Sequence, residues 1–217
     1  MQKLVWSFMV CVLFSVAIQG QNKREIRNDD YSKWQVRLRG LAIIPSESAK
    51  IEVIGGDVAI STAFIPELDV TYFFTKHIAA ELILGTSNHD VKAKETAVGA
   101  IELGDVWLLP PTLTLQYYFT GGNLKPYIGA GINYTIFYGA DEGSVVDNSS
   151  YDNSLGLAFQ AGLDYDINAS WFLNLDIKKI QIHTNATIDA TSALGATVGA
   201  DVTIDPLVVG VGLGYRF

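Results

Sequence analysis

Hydrophobic and polar residues alternate along most of the chain beyond residue 33. A period of two is typical of a β-strand, because successive side chains point to opposite faces. The closing segment 206–217 shows the pattern most fully, and the glycines between its large apolar residues would weaken a helix. Its apolar face consists of Leu207, Val209, Val211, Leu213, Tyr215 and Phe217. This segment is therefore predicted to be a strand with one face against an apolar environment.

The same alternation predicts eight strands. They span residues 34–43, 66–74, 78–85, 112–119, 128–136, 155–166, 171–182 and 206–217. Short turns at 75–77, 120–123 and 168–170 alternate with long connections at 46–63, 88–108, 139–152 and 185–203. The alternation changes phase at Lys178 and Lys179, where one extra residue would move Ile180 and Ile182 to the other face. This change of phase predicts a β-bulge.

Three features favour a barrel that spans a membrane. The predicted strands have about the 9–11 residues that a tilted strand needs to cross the hydrocarbon layer. The short connections all lie at one end, as in outer-membrane barrels with short periplasmic turns and long extracellular loops. Aromatic residues crowd that end as a membrane-interface girdle would; they are Trp34, Phe74, Tyr117, Phe119, Tyr127, Tyr165, Trp171, Tyr215 and Phe217.

The predicted fold is thus all-β: an eight-stranded antiparallel up-and-down transmembrane β-barrel with long extracellular loops and short periplasmic turns. A soluble eight-stranded barrel of the lipocalin type is the alternative. That barrel would place its apolar face inside, and alternation alone does not distinguish inside from outside. The predicted leader, the girdle and the terminal phenylalanine favour the membrane barrel.

The first twenty residues have the layout of a cleaved signal peptide. Lys3 supplies positive charge, an apolar run extends from residue 4 to 18, and cleavage is predicted after Gly20. An uncleaved anchor helix is the alternative for this run. Residues 21–33 are polar and charged, which indicates a short N-terminal segment before a barrel domain at 34–217.

Charge and cysteine content argue against several classes of function. The formal net charge is −8, whereas nucleic-acid binding needs clustered cations, so we expect no nucleic-acid partner. Cys11 is the only cysteine and lies in the predicted leader, so the exported chain would have no disulfide, zinc knuckle or cysteine nucleophile. Ser87 and His89 are close in sequence but at the start of a predicted loop. We therefore expect no enzyme activity, no metal and no cofactor.

A closed barrel would bring the inward-facing charges together in its periplasmic half. They are Arg37, Arg39, Asp69, Glu81, Asp164, Asp166, Asp176, Lys178 and Arg216. Because buried charges must be paired, we predict an ion-pair network that plugs the lumen; a gate or ion path is the alternative. Toward the loops the inward residues become apolar, which predicts a pocket above this plug. Its predicted members are Leu41, Ile43, Ile83 and Phe137, with ordinary core filling as the alternative.

Several motifs resemble the outer membrane protein W (OmpW) family. They are Pro66-Glu67-Leu68 with Thr71-Tyr72-Phe73-Phe74-Thr75 and Ala80-Glu81-Leu82, Leu109-Pro110-Pro111-Thr112-Leu113 with Gln116-Tyr117-Tyr118-Phe119, Lys125-Pro126-Tyr127-Ile128-Gly129-Ala130-Gly131-Ile132-Asn133-Tyr134, and Gly212-Leu213-Gly214-Tyr215-Arg216-Phe217. The resemblance covers residues 34–217. It implies an outer-membrane barrel with a narrow, partly hydrophobic channel, from which small apolar molecules can leave sideways through the wall. It also implies loops that serve as phage or bacteriocin receptors in some members.

The expected function is a narrow channel or binding site for small hydrophobic molecules, which cross the outer membrane passively. The alternative is a sealed structural or adhesive surface protein that acts through its extracellular loops. Expected partners are outer-membrane lipid, a small hydrophobic solute and the barrel-assembly machinery. We expect that machinery to recognise Tyr215 and Phe217 as a terminal aromatic signal.

Overall fold

The computed structural model describes residues 31–52, 55–97, 99–143 and 146–217. The predicted signal peptide and residues 21–30 lie outside the described residues. The described strands are β1 (Trp34–Ile44), β2 (Ser48–Ile51), β3 (Asp57–Ile60), β4 (Ala63–Phe73), β5 (Ile78–Leu84), β6 (Ser87–Thr96), β7 (Gly99–Leu109), β8 (Thr112–Tyr118), β9 (Leu124–Glu142), β10 (Asn148–Tyr151), β11 (Ser154–Asp166), β12 (Trp171–Ile180), β13 (His183–Ala190), β14 (Ala196–Thr203) and β15 (Leu207–Arg216). A single helical turn, Thr191–Leu194, joins β13 to β14. Within these residues no helix is long and apolar enough to cross a membrane.

Eight of these strands close into an antiparallel barrel. They follow one another around the wall as β1, β4, β5, β8, β9, β11, β12 and β15. The closing strand pairs with the first, so that Leu38 lies opposite Leu213 and Arg39 lies opposite Gly212. This arrangement confirms the predicted eight-stranded up-and-down barrel.

The predicted long connections contain further strands, which the alternation did not predict. β3, β6 and β7 form one sheet with the upper part of β9, and β2, β10, β13 and β14 form another. In β6, for example, Val91 and Ala93 face inward while Lys92 faces solvent, so the period of two continues beyond the barrel strands. Charged residues on the outer face concealed this pattern in the sequence. The two sheets extend the barrel wall on the extracellular side.

The predicted β-bulge at Lys178 and Lys179 is also wrong. The register of β12 against β11 is unbroken, with Gln160 opposite Lys178 and Ala158 opposite Ile180. Lys178 and Ile180 therefore both point into the lumen. The change at this level is in the polarity of the inward face and not in the phase of the strand. Bulges occur instead between β6 and β7, one of them between Val91 and Lys92.

The outside of the barrel is apolar. Its large exposed side chains include Leu38, Leu82, Leu84, Leu113, Leu115, Ile128, Ile132, Leu155, Leu157, Phe159, Leu173, Leu175, Ile177, Val211 and Leu213. Charged side chains such as Arg37 and Glu81 are fully buried inside. This arrangement is the reverse of a soluble barrel, so the lipocalin-type alternative is wrong, and lipid is the medium that suits the outer face.

The aromatic girdle follows the prediction with one exception. Its aromatic pairs include Trp34 with Tyr72 and Trp171 with Tyr215, whose ring centroids are 4.7 and 5.0 Å apart. Tyr127 was expected in the girdle but is buried in the lumen, because it shares the inward face of β9 with Gly129 and Gly131. The short-turn end of the barrel therefore carries the expected interface belt.

Phe217 lies at the girdle beside Tyr215, and its backbone N–H donates to the carbonyl of Trp34 at 3.0 Å. We expect Phe217→Ala to reduce the amount of folded barrel in the outer membrane without lowering the melting temperature of refolded protein, because the backbone bond is retained. Heat-modifiable gel mobility of outer-membrane fractions measures the first quantity. Phe119→Ala is the matched control, since both side chains are 51% exposed in the girdle. Equal assembly of the two variants would contradict a terminal signal.

Candidate functional site

The lumen is divided into a charged level and an apolar level. On β1 the inward residues from the periplasmic end are Gln35, Arg37, Arg39 and Leu41, and on β12 Lys178 is followed by Ile180. Because alternate side chains of a strand face the lumen, the inward face changes from charged to apolar toward the extracellular end of each strand, after Arg39 on β1 and after Lys178 on β12. The lower level is called the plug here and the upper level the apolar cavity.

Glu81 is the centre of the plug. One of its carboxylate oxygens accepts hydrogen bonds from both Arg37 and Arg39, the latter at 3.0 Å. The other oxygen accepts from the side-chain amides of Gln116 and Gln160, each at 2.7 Å. All five side chains are buried. A single carboxylate thus joins strands on both sides of the lumen.

Asp69 and Glu67, both on β4, also pair with the two arginines. The Arg37 Nε donates to Asp69 at 2.8 Å, and the Arg39 Nε donates to Glu67 at 2.7 Å. A second arginine–carboxylate contact joins Arg39 to Asp69 at 3.0 Å. Both guanidinium groups are therefore surrounded by carboxylates, which offsets the cost of removing their charge from water.

The remaining predicted plug residues form two further groups. Arg216 contacts Asp164 at 3.0 Å and also bonds Asp166, which lies nearer the periplasmic mouth and accepts from Lys125 at 2.6 Å. Lys178 bonds Asp176, two residues away on the same face of β12. These groups adjoin the two arginines, because Arg37 lies 4.0 Å from Asp164 and Arg39 lies 3.7 Å from Asp176. All nine predicted plug residues thus belong to one network of ion pairs. Whether that network acts as a plug or as a gate stays a prediction.

Two network members were missed by sequence reasoning. Glu67 was noticed only as part of a motif, although it lies two residues from Asp69 on the same face. Tyr127 donates its hydroxyl hydrogen to Asp176 at 2.6 Å. A signal for Tyr127 was present in its cross-strand partner Gly162, where a Cβ would come within 2.2 Å of the tyrosine ring. A glycine opposite a large aromatic residue indicates that the ring lies across that position.

The apolar cavity lies above the plug and has a volume of about 80 Å³. Of the predicted pocket residues, Ile43 and Phe137 line it. Leu41 belongs to the buried apolar cluster around it and packs beside Gly210. Ile83 is buried and faces inward but does not line the cavity. The other lining residues come mainly from the extracellular sheets and include Val58, Ile60, Val91, Val106, Leu108, Ile180, Ile182, Ala186, Ile188, Ala200, Val202 and Val208.

Ser87 and His89 are polar residues in this mainly apolar lining. They lie on the inward face of β6, not at the start of a loop as predicted, and the His89 Nε2 is 3.0 Å from the Ser87 Oγ. The His89 Nδ1 is 2.7 Å from the carbonyl oxygen of Ser61. The outer face of β6 carries Asn88 and Asp90, so this part of the wall lies beyond the lipid-facing strands. Burial lowers the pKa of His89, which favours the neutral ring.

A second cavity of about 310 Å³ lies at the periplasmic mouth, on the other side of the plug. It is lined by Tyr31, Phe73, Lys76, Lys125 and Arg216, among others. The plug therefore separates an apolar extracellular cavity from a charged periplasmic one.

A model of the OmpW family matches residues 32–217. The chain belongs to the OmpW family. It is 46% identical over 188 residues to the uncharacterized outer-membrane protein y4mB of Sinorhizobium fredii, covering 86% of this chain and 80% of that protein. It is 33% identical to outer membrane protein W of Vibrio cholerae, covering 84% and 87% of the two chains. The crystal structure of OprG from Pseudomonas aeruginosa superposes with a TM-score of 0.79 at 32% identity, covering 86% and 96%. The family resemblance and the outer-membrane location are thus confirmed.

We expect Glu81→Gln to lower the free energy of unfolding of the refolded barrel by about 3–5 kcal/mol, because it removes the buried charge that Arg37 and Arg39 share. Denaturant unfolding in lipid vesicles measures this change. Glu102→Gln is the control, since Glu102 pairs with Lys92 at 2.8 Å on the exposed part of the extracellular extension. That variant should leave the unfolding midpoint unchanged. Equal small effects in the two variants would show that the plug is not a stabilising network.

Proposed function

We propose that this OmpW-family protein takes up small hydrophobic molecules through its extracellular cavity and passes them across the outer membrane passively. The observation that carries this proposal is an apolar cavity directly above a charged plug. Apolar molecules gain free energy when they leave water for such a cavity, at about 25 cal/mol per Å² of buried surface. The plug makes the same barrel a poor route for water and ions.

A straight path through the barrel would require the plug to open. Arg37, Arg39 and Glu81 are fully buried and paired, and an apolar solute offers nothing to replace those pairs. Breaking one buried pair costs several kcal/mol. The solute therefore needs an exit that avoids the plug.

The wall between β4 and β5–β6 supplies such an exit in this proposal. The hydrogen-bonded ladder between β4 and β5 ends where Leu68 lies opposite Leu84. Backbone pairing resumes at Ser61, whose N–H donates to the carbonyl oxygen of Asp90 on β6. Pro66 lies between these points and has no N–H to donate. Phe64, on the outer face of the same stretch, is 80% exposed. A weakly paired section of wall thus connects the level of the cavity with an apolar outer surface.

Ala200 lines the cavity from β14 and is half-buried. We expect Ala200→Phe to reduce uptake of labelled toluene by intact cells of a complemented deletion strain to the level of the uncomplemented strain, because the added ring fills the cavity. The control is Ala161→Phe on the exposed outer face of β11, which should leave uptake unchanged. Full uptake by a folded Ala200→Phe protein would contradict the proposed route.

The weakly paired wall can be tested with a reversible cross-link, since Cys11 is the only native cysteine. A Cβ at Gly85 would lie 3.6 Å from the Ile65 Cδ1, so the side chains at the two positions face each other and a short bis-methanethiosulfonate reagent can join Ile65→Cys to Gly85→Cys. We expect the cross-link to stop toluene uptake and reduction to restore it. Val70→Cys with Leu82→Cys joins paired positions of the same two strands and is the control. Uptake that survives a complete Ile65–Gly85 cross-link would exclude this exit.

The dense plug also favours the second candidate, a sealed surface protein that acts through its extracellular extension. In that case a deletion strain would have no toluene uptake defect, and the purified protein would show no conductance in a planar bilayer. Its phenotype would instead be lost adsorption of a phage or bacteriocin. Uptake and adsorption assays on the same strains separate the two functions.

A further inference from the structure

The polar groups of the apolar cavity have a defined hydrogen-bonding direction. Ser87 and Thr184 both line the cavity with hydroxyl-bearing side chains. A hydroxyl has one hydrogen to donate and two lone pairs that accept. If its hydrogen is already bonded to a protein acceptor, the hydroxyl can only accept a hydrogen bond from a solute.

The Ser87 hydrogen is committed to His89. The carbonyl oxygen of Ser61 can only accept, so the His89 Nδ1, 2.7 Å away, must carry the hydrogen of this bond. In a neutral ring the Nε2 then has no hydrogen and accepts the hydroxyl hydrogen of Ser87, 3.0 Å away. The lowered pKa of His89 keeps the ring in this neutral form near pH 7. The Ser87 oxygen thus retains lone pairs and no free hydrogen.

The hydroxyl hydrogen of Thr184 is also committed to a protein acceptor. Its hydroxyl donates to the carbonyl oxygen of Asp152 at 2.7 Å. Tyr151, which also lines the cavity, stacks its ring on Phe137. Ser87 and Thr184 therefore both offer acceptors to a solute in a mainly apolar enclosure.

We propose that the cavity selects small apolar molecules that carry one hydrogen-bond donor, such as alcohols, over molecules of the same size that carry only an acceptor. This inference rests on the proposed function, because it assumes that the cavity binds solutes. An alcohol donates its hydrogen to the Ser87 or Thr184 oxygen. A ketone loses its hydrogen bonds to water on entry and finds lone pairs facing its own, which is unfavourable in an apolar site.

Cyclopentane, cyclopentanol and cyclopentanone form a matched set of rigid probes. Their dissociation constants are measured on the refolded protein in lipid nanodiscs, from the shifts of valine and isoleucine methyl signals at the cavity. One net hydrogen bond predicts that cyclopentanol binds about 3- to 10-fold more tightly than cyclopentanone. Cyclopentane reports on the apolar cavity alone.

Three variants test the direction of the hydrogen bonds. Ser87→Ala and Thr184→Val each remove an acceptor and should reduce the preference for cyclopentanol, with cyclopentane binding retained. His89→Leu removes the acceptor of the Ser87 hydrogen, so the hydroxyl becomes free to donate and cyclopentanone binding should strengthen. Ser48→Ala, on the exposed face of β2, should change none of the three constants.

The outcomes separate this inference from the proposed function. Binding of cyclopentane with equal affinities for the alcohol and the ketone would overturn the donor preference and leave the cavity as a solute site. Tighter binding of the ketone would show that the hydrogens of Ser87 and His89 are arranged the other way. A preference that persists in the double variant of Ser87→Ala with Thr184→Val would also overturn the inference. If no probe binds, the proposed function fails and this inference fails with it.

Discussion

A strand that crosses hydrocarbon has no water to satisfy its backbone N–H and C=O groups, so every one of them must be paired with a neighbouring strand. For this chain the consequence is closure, in which β15 returns to β1 and leaves the barrel no open edge. Closure in turn determines where the two faces of each strand go. The apolar face meets lipid, and the polar face of all eight strands is confined to one narrow lumen.

Confinement of the polar faces creates the plug. Arg37 and Arg39 on β1 cannot reach water, so carboxylates on β4, β5 and β12 surround them. Space for these long side chains comes from the small residues of the closing strand. A Cβ at Gly212 would come within 2.7 Å of the Arg39 Cγ, and a Cβ at Gly214 would approach the Phe172 ring to 2.0 Å. The alternation of glycine with large apolar residues in 206–217 is therefore a packing requirement of the lumen.

Much of this fold could be predicted from the sequence, because a period of two and the position of short turns are local properties of the chain. The same period led to an error at Ile180, where an apolar inward residue after Lys178 was interpreted as a change of phase. Prediction from periodicity assumes that one face of a strand keeps the same polarity along its length. The face that lines this lumen changes from charged to apolar. The extension strands were missed for a similar reason, since Lys92 and other outward charges in β6 resemble those of a loop.

The site was less predictable, because it depends on which strands lie across the lumen from each other. The inward charges could be identified, but the central position of Glu81 follows from the arrangement of β1, β8 and β11 around it. Tyr127 was assigned to the girdle because aromatic residues at strand ends usually face the interface. The pairing of Ser87 with His89 required knowing that β6 continues the wall and that Ser61 returns beside it. Long-range pairing of this kind is not encoded in any short segment.

The position of the polarity change connects the plug with the proposed sideways route. An apolar solute in the cavity has apolar walls around it, and the wall section beside Pro66 carries the exposed Phe64 on its outer face, so in this proposal the solute moves between two apolar media and its free energy changes little. Movement downward would instead place it among Lys178, Asp176 and the arginines, where it would separate buried ion pairs at a cost of several kcal/mol. A difference of 1.4 kcal/mol already changes a rate about tenfold. Because ladder pairing is missing between Leu68 and Ser61, the section beside Pro66 opens with fewer lost backbone bonds than the fully paired ladder below it, and it is therefore the exit that we propose.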